Sequence, residues 1–160
     1  MKKNGRFNQF EIGALLWADV NARLNAPKMY LYKFDPEIPG DNAGSFHSSD
    51  LWFVFETLAK CWRPFKGKHY DLARQMCNYW TNFAKTGDPN GLDADGTPMP
   101  EWRPVQGDDR KPMFFGDTAG MDESPRSELT NFIIDCFMEK LDKKEPISYD
   151  PFAAARRAWK

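Results

Sequence analysis

The run Met29-Tyr30-Leu31-Tyr32-Lys33-Phe34, fenced by Pro27 and Pro36, reads as a β-strand that is apolar on both faces over most of its length. Such a strand belongs inside a parallel sheet whose faces are covered by helices. Only one other segment, Pro112 to Phe115, reads as a strand. Around these two the periodicity gives helix, strand, loop, helix, long loop, short strand, helix, the alternating grammar of an α/β sheet. Aromatic residues make up 15% of the chain. Two strands do not form a sheet that buries so much aromatic surface, so the chain is expected to be mostly helical with few strands and an incomplete sheet. The missing strands would come from a second copy or another chain.

Three helices are expected. Phe7 to Leu24 carries a stripe of Leu16, Val20 and Leu24 at i, i+4 spacing, with Phe10 and Trp17 beside it. Asn25-Ala26-Pro27 ends it, because the residue before proline avoids the helical region. Asp71 to Lys85 places Leu72, Met76, Tyr79, Trp80 and Phe83 on one face, and Gly87 can supply the left-handed closing residue. Pro125 to Leu141 places Leu129, Phe132, Ile133, Cys136, Phe137 and Leu141 together, with Pro125 suited to the first helical position. Residues 35–44 and 86–112 are rich in Pro, Gly and Asp and read as loops. The second is long enough to be functional or to brace a larger body. The apolar block Leu51 to Phe55 lies between them.

Residues 1–141 read as one segment. Residues 142–160 read as a polar tail that opens on Asp142-Lys143-Lys144-Glu145 and ends in a short basic amphipathic stretch from Phe152 to Lys160. That end would be a surface turn of helix or a docking peptide. There is no internal repeat.

The charge balance is 22 basic against 23 acidic residues, a formal net charge of -1. No basic field attracts nucleic acid or an anionic membrane, so neither is expected as a partner. No run approaches the roughly 18 apolar residues of a transmembrane helix. The start, Met-Lys-Lys-Asn-Gly-Arg-Phe, is not followed by the apolar core of a secretory signal peptide. Cys61, Cys77 and Cys136 are widely spaced and form no C-x-x-C pair. They read as free thiols in a reducing, cytoplasmic compartment, with no metal site and no cofactor.

Chemistry concentrates at one place. His47 lies in the loop after the first strand, at its carboxyl end, where α/β sheets gather ligand and catalytic groups. A histidine there can take a proton from a hydroxyl and return it near neutral pH. Ser45, Ser48 and Ser49 are close in sequence, but no feature supplies oxyanion donors to any of them. Asp50 is near enough to touch the imidazole if the segment turns helically, or it bonds nearby backbone. His69, in Lys66-Gly67-Lys68-His69-Tyr70, reads as solvated.

The stretch Phe46-His47-Ser48-Ser49-Asp50-Leu51-Trp52-Phe53-Val54-Phe55 resembles the catalytic-histidine region of type-B carboxylesterases, the branch of the α/β-hydrolase fold that includes cholinesterases and bacterial para-nitrobenzyl esterases. Two further motifs follow in order. Tyr79-Trp80-Thr81-Asn82-Phe83-Ala84-Lys85-Thr86-Gly87-Asp88-Pro89-Asn90 is similar to the family's helix-to-turn signature, and Pro100-Glu101-Trp102-Arg103-Pro104 is similar to its W-P-x-Y segment. The resemblance covers about residues 7–140, as the C-terminal third of the family. The chain departs from the pattern at Ser48 and Glu56, where the family usually has glycine. It departs also at Asp50, usually glutamate, and at Trp52, commonly proline.

The resemblance implies the C-terminal part of an α/β-hydrolase fold with His47 as the general base of a serine triad. In this fold the order is Ser, then Asp or Glu, then His. The acidic residues ahead of His47 are Glu11, Asp19, Asp35, Glu37 and Asp41, and none matches the family's acid motif. No G-x-S-x-G elbow and no oxyanion glycine run is present. The expected function is therefore that of a C-terminal segment of a serine carboxylic-ester hydrolase, inactive alone. Its partner would be an N-terminal esterase chain or another copy, and it would meet a small ester substrate only once complemented. The alternative is a non-catalytic, self-associating interaction module descended from such an enzyme.

Overall fold

The computed structural model describes residues 9–24, 26–105 and 109–144. The main elements are α1 (Gln9–Arg23), β1 (Tyr32–Phe34), α2 (Leu51–Val54), α3 (Gly67–Thr86), β2 (Met113–Phe115), β3 (Ala119–Met121) and α4 (Glu128–Asp142). They fall into two compact units. One spans residues 21–124; the other joins the residues up to Val20 with those from Pro125 onward.

In the first unit the sheet order is β1-β2-β3. β1 and β2 run parallel, with Tyr32 opposite Met113 and Phe34 opposite Phe115. The Met113 N–H donates to the Leu31 carbonyl, and the Asp35 N–H to that of Phe115, both at 2.8 Å. The parallel pairing expected for the first strand is present. The strand is nevertheless shorter than its apolar run, and Tyr32 and Lys33 are exposed. The reason is its place at one end of the sheet order, where no described strand flanks it on the other side. β2 lies where expected. β3, antiparallel to β2, was not legible, because Ala119-Gly120-Met121 lacks β-branched residues. A tight reversal makes it, closed by the Gly116 N–H on the Thr118 carbonyl at 3.1 Å.

The core of this unit is aromatic. Phe53, Tyr79, Phe115, Leu58, Met76 and Met113 are fully buried. Trp102 meets Tyr79 and Phe115 edge-on, at 5.6 and 5.4 Å between ring centroids. Its indole N–H donates to the Leu31 carbonyl at 3.0 Å. Each such ring contributes about 1.5–3 kcal/mol by burial and roughly 0.5–1.5 kcal/mol more from its edge-to-face geometry. The apolar block 51–55 is helical: α2 turns Phe53 and Val54 inward against the core that α3 supplies.

α3 buries Leu72, Met76 and Tyr79 as its spacing predicts, with Trp80 packed against the core and Phe83 largely exposed. It ends at Gly87 in the left-handed region (φ 76°), whose N–H donates to the Phe83 carbonyl. Its start comes earlier than Asp71, and the cause corrects the reading of His69. That residue is not solvated but 3% exposed. Its Nδ1 accepts the Lys66 N–H at 2.9 Å, which caps the helix, and its Nε2 lies 3.1 Å from the Glu37 carbonyl. The two contacts fix the neutral tautomer with hydrogen on Nε2. Lys66 and Lys68 made the site look polar; the ring itself packs edge-on against Phe65 at 5.3 Å.

The long loop after α3 is fastened to it. Asp93, buried, accepts from Arg74 Nε at 2.9 Å, and from Gln75 and Asn78. The Asn90 side chain bonds both the N–H and the carbonyl of Trp102, at 2.7 and 2.9 Å. The Tyr79 hydroxyl donates to the Pro100 carbonyl at 2.6 Å.

In the second unit the buried faces differ from those expected. α1 buries Ile12, Leu15, Ala18 and Asp19, whereas Trp17 is 61% exposed. The stripe Leu16-Val20-Leu24 is therefore not the inward one, and Leu24 is exposed. A charge pair contributes to that choice: Arg126 Nη1 reaches the buried Asp19 carboxylate at 3.4 Å. α4 begins at Glu128 rather than Pro125, because Ser127 is its N-cap and its Oγ accepts the Thr130 N–H at 3.1 Å. It buries Ile134 and Met138, with Ile133, Cys136 and Phe137 half-buried. Leu129, Phe132 and Leu141 remain exposed. The three cysteines are free thiols of intermediate exposure. Among the described residues no helix is long and apolar enough to cross a membrane. The amphipathic end from Phe152 to Lys160 lies outside the described residues, as do Phe7 and the side chain of Phe10.

Candidate functional site: the His47 turn

β1 ends at Phe34, a loop follows, and residues 47–50 make a turn that feeds directly into α2. His47 stands exposed on this turn. Among the described residues its ring makes no hydrogen bond and no ion pair, so neither nitrogen is engaged within them.

Beneath it the backbone is closely held. Ser49 is fully buried; its Oγ donates to the Phe46 carbonyl at 2.7 Å and accepts the Phe46 N–H at 3.2 Å. The Ser49 N–H also donates to the Phe46 carbonyl, and the Leu51 N–H to that of Ser48. Ser48 closes the turn in the left-handed region, with φ 69°. At the other end of α2, Glu56 is also left-handed, with φ 49°.

The acidic and hydroxyl candidates Asp50, Glu37, Asp41, Asp19 and Ser45 are bonded to groups other than the imidazole. Asp50 accepts the Tyr32 hydroxyl at 2.8 Å. Burial first, and this bond second, push the Tyr32 phenol far above its ordinary range. Glu37 pairs with Lys68, Asp41 with Arg63, and Asp19 with Arg126. The Ser45 hydroxyl donates to the Pro36 carbonyl at 3.0 Å. Among the described residues the turn therefore holds a free imidazole with neither a nucleophile nor an orienting carboxylate bonded to it. Nor is any group of three or more His, Cys, Asp or Glu placed there to hold a metal ion. A concavity of about 750 Å³ lies over the sheet, lined by Lys33, Asp35, Phe114 and Met121 among others, and His47 does not line it.

Two residues that matter here were not singled out from sequence. Tyr32 was read only as a strand residue, although a tyrosine at a strand end can reach the turn that follows. Arg63, between Trp62 and Pro64, carries no local signal because its hydrogen-bond partners lie over twenty positions upstream. Its guanidinium forms a two-pronged pair with Asp41 at 2.7 and 2.8 Å and donates to the Pro39 carbonyl at 2.9 Å. Around the turn, Phe46, Leu51, Phe55 and Trp62 expose apolar surface, Phe55 at 68% and Trp62 at 71%.

Comparison with known proteins identifies the family. Residues 7–133 match the carboxylesterase family. Human bile salt-activated lipase is 29% identical over 121 residues, which are 72% of this chain and 16% of that protein. Dog carboxylesterase 5A is 35% identical over 101 residues, 56% of this chain and 17% of that protein. The chain thus spans about a sixth of the length of these relatives. Among solved structures, the carboxylesterase of Geobacillus stearothermophilus aligns with a TM-score of 0.51 at 26% identity, covering 89% of this chain and 24% of that one. An esterase from anaerobic Clostridium hathewayi that can hydrolyze aliphatic aromatic polyesters aligns at 0.59 and 23% identity, covering 77% and 23%.

Proposed function

The chain belongs to the carboxylesterase family, with part of an α/β-hydrolase fold, and on that premise we propose that it supplies the general-base histidine of a serine carboxylic-ester hydrolase. The nucleophilic serine, the triad acid and the oxyanion hole belong to residues beyond these 160. His47 takes the proton of the serine hydroxyl as that oxygen attacks the ester carbonyl, then gives it to the departing alcohol. A carboxylate from the same outside segment holds the other ring nitrogen and stabilises the imidazolium.

The observation that carries this reading is the state of the turn. An exposed imidazole in the loop after a parallel strand has neither nitrogen bonded among the described residues, while Ser45, Ser49 and Asp50 are bonded elsewhere. The test is hydrolysis of para-nitrophenyl acetate by the chain alone, by the chain with a serine-bearing esterase segment, and by the same mixture with His47→Gln. Turnover only in the complemented mixture, lost with His47→Gln, supports the proposal. Turnover by the chain alone, or complemented turnover unaffected by the substitution, overturns it.

The exposed surface of Phe46, Leu51, Phe55 and Trp62 favours a second reading, in which these side chains are covered by another copy. Light scattering after size exclusion distinguishes the two: a stable dimer that excludes the serine-bearing segment supports self-association, and a monomer rules it out.

A further inference from the structure

We infer that Arg63 is a positioning residue for His47, acting through the loop that leads into the histidine turn. Arg63 is 8% exposed and lies 16 positions beyond the histidine, yet it gathers that loop around itself. One guanidinium nitrogen bonds the Pro39 carbonyl and one Asp41 oxygen; the other takes the second Asp41 oxygen. The same cation stands 5.3 Å from the ring centroid of Phe46, 5.9 Å from Trp52 and 4.8 Å from Trp62. Phe46 is the residue immediately before His47, and its ring also meets Trp52 edge-on at 5.6 Å.

These contacts bracket the histidine from both sides. Asp41 and Pro39 fix the incoming loop, Phe46 fixes the residue that joins it to the turn, and Trp52 fixes the first turn of α2 beyond it. Trp62 closes the arrangement from outside. A Cβ on Gly40, whose φ is 108°, would meet the Trp62 ring at 3.0 Å, so the loop passes against that ring as closely as glycine allows. A planar two-pronged cation suits this task better than lysine, because it bonds a carboxylate with both nitrogens while stacking on rings. The consequence for chemistry is geometric: a shift of about 1 Å in a catalytic group costs on the order of 100-fold in rate.

The inference rests on the reading of His47 as the general base, but its test does not need activity. The full chain, labelled with 13C and 15N, gives one imidazole Cε1–H signal from each of its two histidines, assigned by His47→Gln. Arg63→Lys, which keeps the charge, and Asp41→Asn, which leaves Arg63 itself unchanged but removes the carboxylate charge and one of its two accepting oxygens, are compared with the parent. The expected result is an unmoved His69 signal, a displaced His47 signal, and backbone order parameters for residues 40–48 falling from about 0.85 towards 0.6. Folded variants whose His47 signal and loop order match the parent overturn the inference. If Arg63→Lys does not fold, Asp41→Asn alone decides by the same criterion. Loss of the catalytic reading would show instead as complemented turnover indifferent to His47→Gln, with these signals unaffected.

Discussion

The Tyr32 hydroxyl donates to the Asp50 carboxylate at 2.8 Å, tying the exposed end of the sheet to the turn that carries His47. The bond gives Asp50 a structural task and removes it as an orienter of the imidazole. It also makes Tyr32 part of the support of the turn. A hydrogen bond to a charged group is worth about 1.5–3 kcal/mol when buried, and the partial exposure of Tyr32 puts this one near about 1 kcal/mol. Tyr32→Phe and Asp50→Asn are expected to show a coupling of that size in a double-mutant cycle read by urea unfolding.

Burial of two phenols, Tyr32 and Tyr79, sets an alkaline limit. Burial chiefly, with the Asp50 bond for Tyr32 and the Asp93 charge for Tyr79, holds both phenols above their ordinary range near 10. Above that range the unfolded chain gives up these protons while the folded chain keeps them. The stabilisation is therefore complete below about pH 10 and declines as pH rises beyond it. The parent is expected to lose stability more steeply between pH 10 and 11 than Tyr32→Phe does. Equal slopes would show that Tyr32 is not responsible.

Ser48 and Glu56 flank α2 in left-handed conformations, φ 69° and 49°. They are the two positions at which the resemblance noted from sequence has glycine. A side chain in this region costs about 1–2 kcal/mol, of which glycine's greater unfolded freedom takes back roughly 0.5–1 kcal/mol. Ser48→Gly and Glu56→Gly are each expected to raise stability by about 0.5–1 kcal/mol, additively within error, in urea midpoints. A loss at Ser48 would show that its side chain contributes something the backbone angle does not.

His69 offers a test of helix capping. Its Nδ1 receives the Lys66 N–H while its Nε2 bonds the Glu37 carbonyl. Glutamine at this position can still accept the N–H, as in a capping box. Leucine leaves both partners unsatisfied in a buried place. His69→Gln is expected to cost about 1 kcal/mol and His69→Leu about 2–3 kcal/mol, with α3 fraying at residues 67–70 in hydrogen exchange for leucine only.

Much of this was legible because local physics decides it. The periodicity of α3, its closure at Gly87, the parallel pairing of the 29–34 run and the loop position of His47 follow from spacing and turn chemistry. What was misread depends on partners distant in sequence. The inward faces of α1 and α4 are not the stripes with the most leucine and phenylalanine, and the Asp19–Arg126 pair joins positions 107 residues apart. β3 exists because a reversal lays it against β2, not because of its own composition. His69 looked solvated because its neighbours are lysines, while the residues that bury it, Glu37 and Phe65, are not on its helix. Arg63 was invisible for the same reason: its meaning lies in Asp41 and Phe46.

Asp93 provides the acid counterpart. Bonds from Arg74 first, then the Ala94 N–H and Gln75, lower its carboxyl to about 2, against the cost of its burial. A carboxylate whose folded pKa is depressed gives stability that is complete above its unfolded value, near 3.9, and is lost as pH falls towards the folded one. The window is therefore about pH 4 down to pH 2. Lowering the carboxyl from near 3.9 to about 2 corresponds to less than about 3 kcal/mol, and the exposure of Arg74 reduces it to about 2 kcal/mol. Asp93→Asn is expected to lower stability by that amount at pH 7 and to flatten the decline between pH 4 and 2. Hydrogen exchange should rise chiefly in residues 90–99, because Asp93 fastens that stretch to α3 through Arg74, Gln75 and Asn78. An unchanged acid profile in Asp93→Asn would assign the acid loss to another carboxylate, with Asp41 and its bonds to Arg63 and the Ala43 N–H next in line.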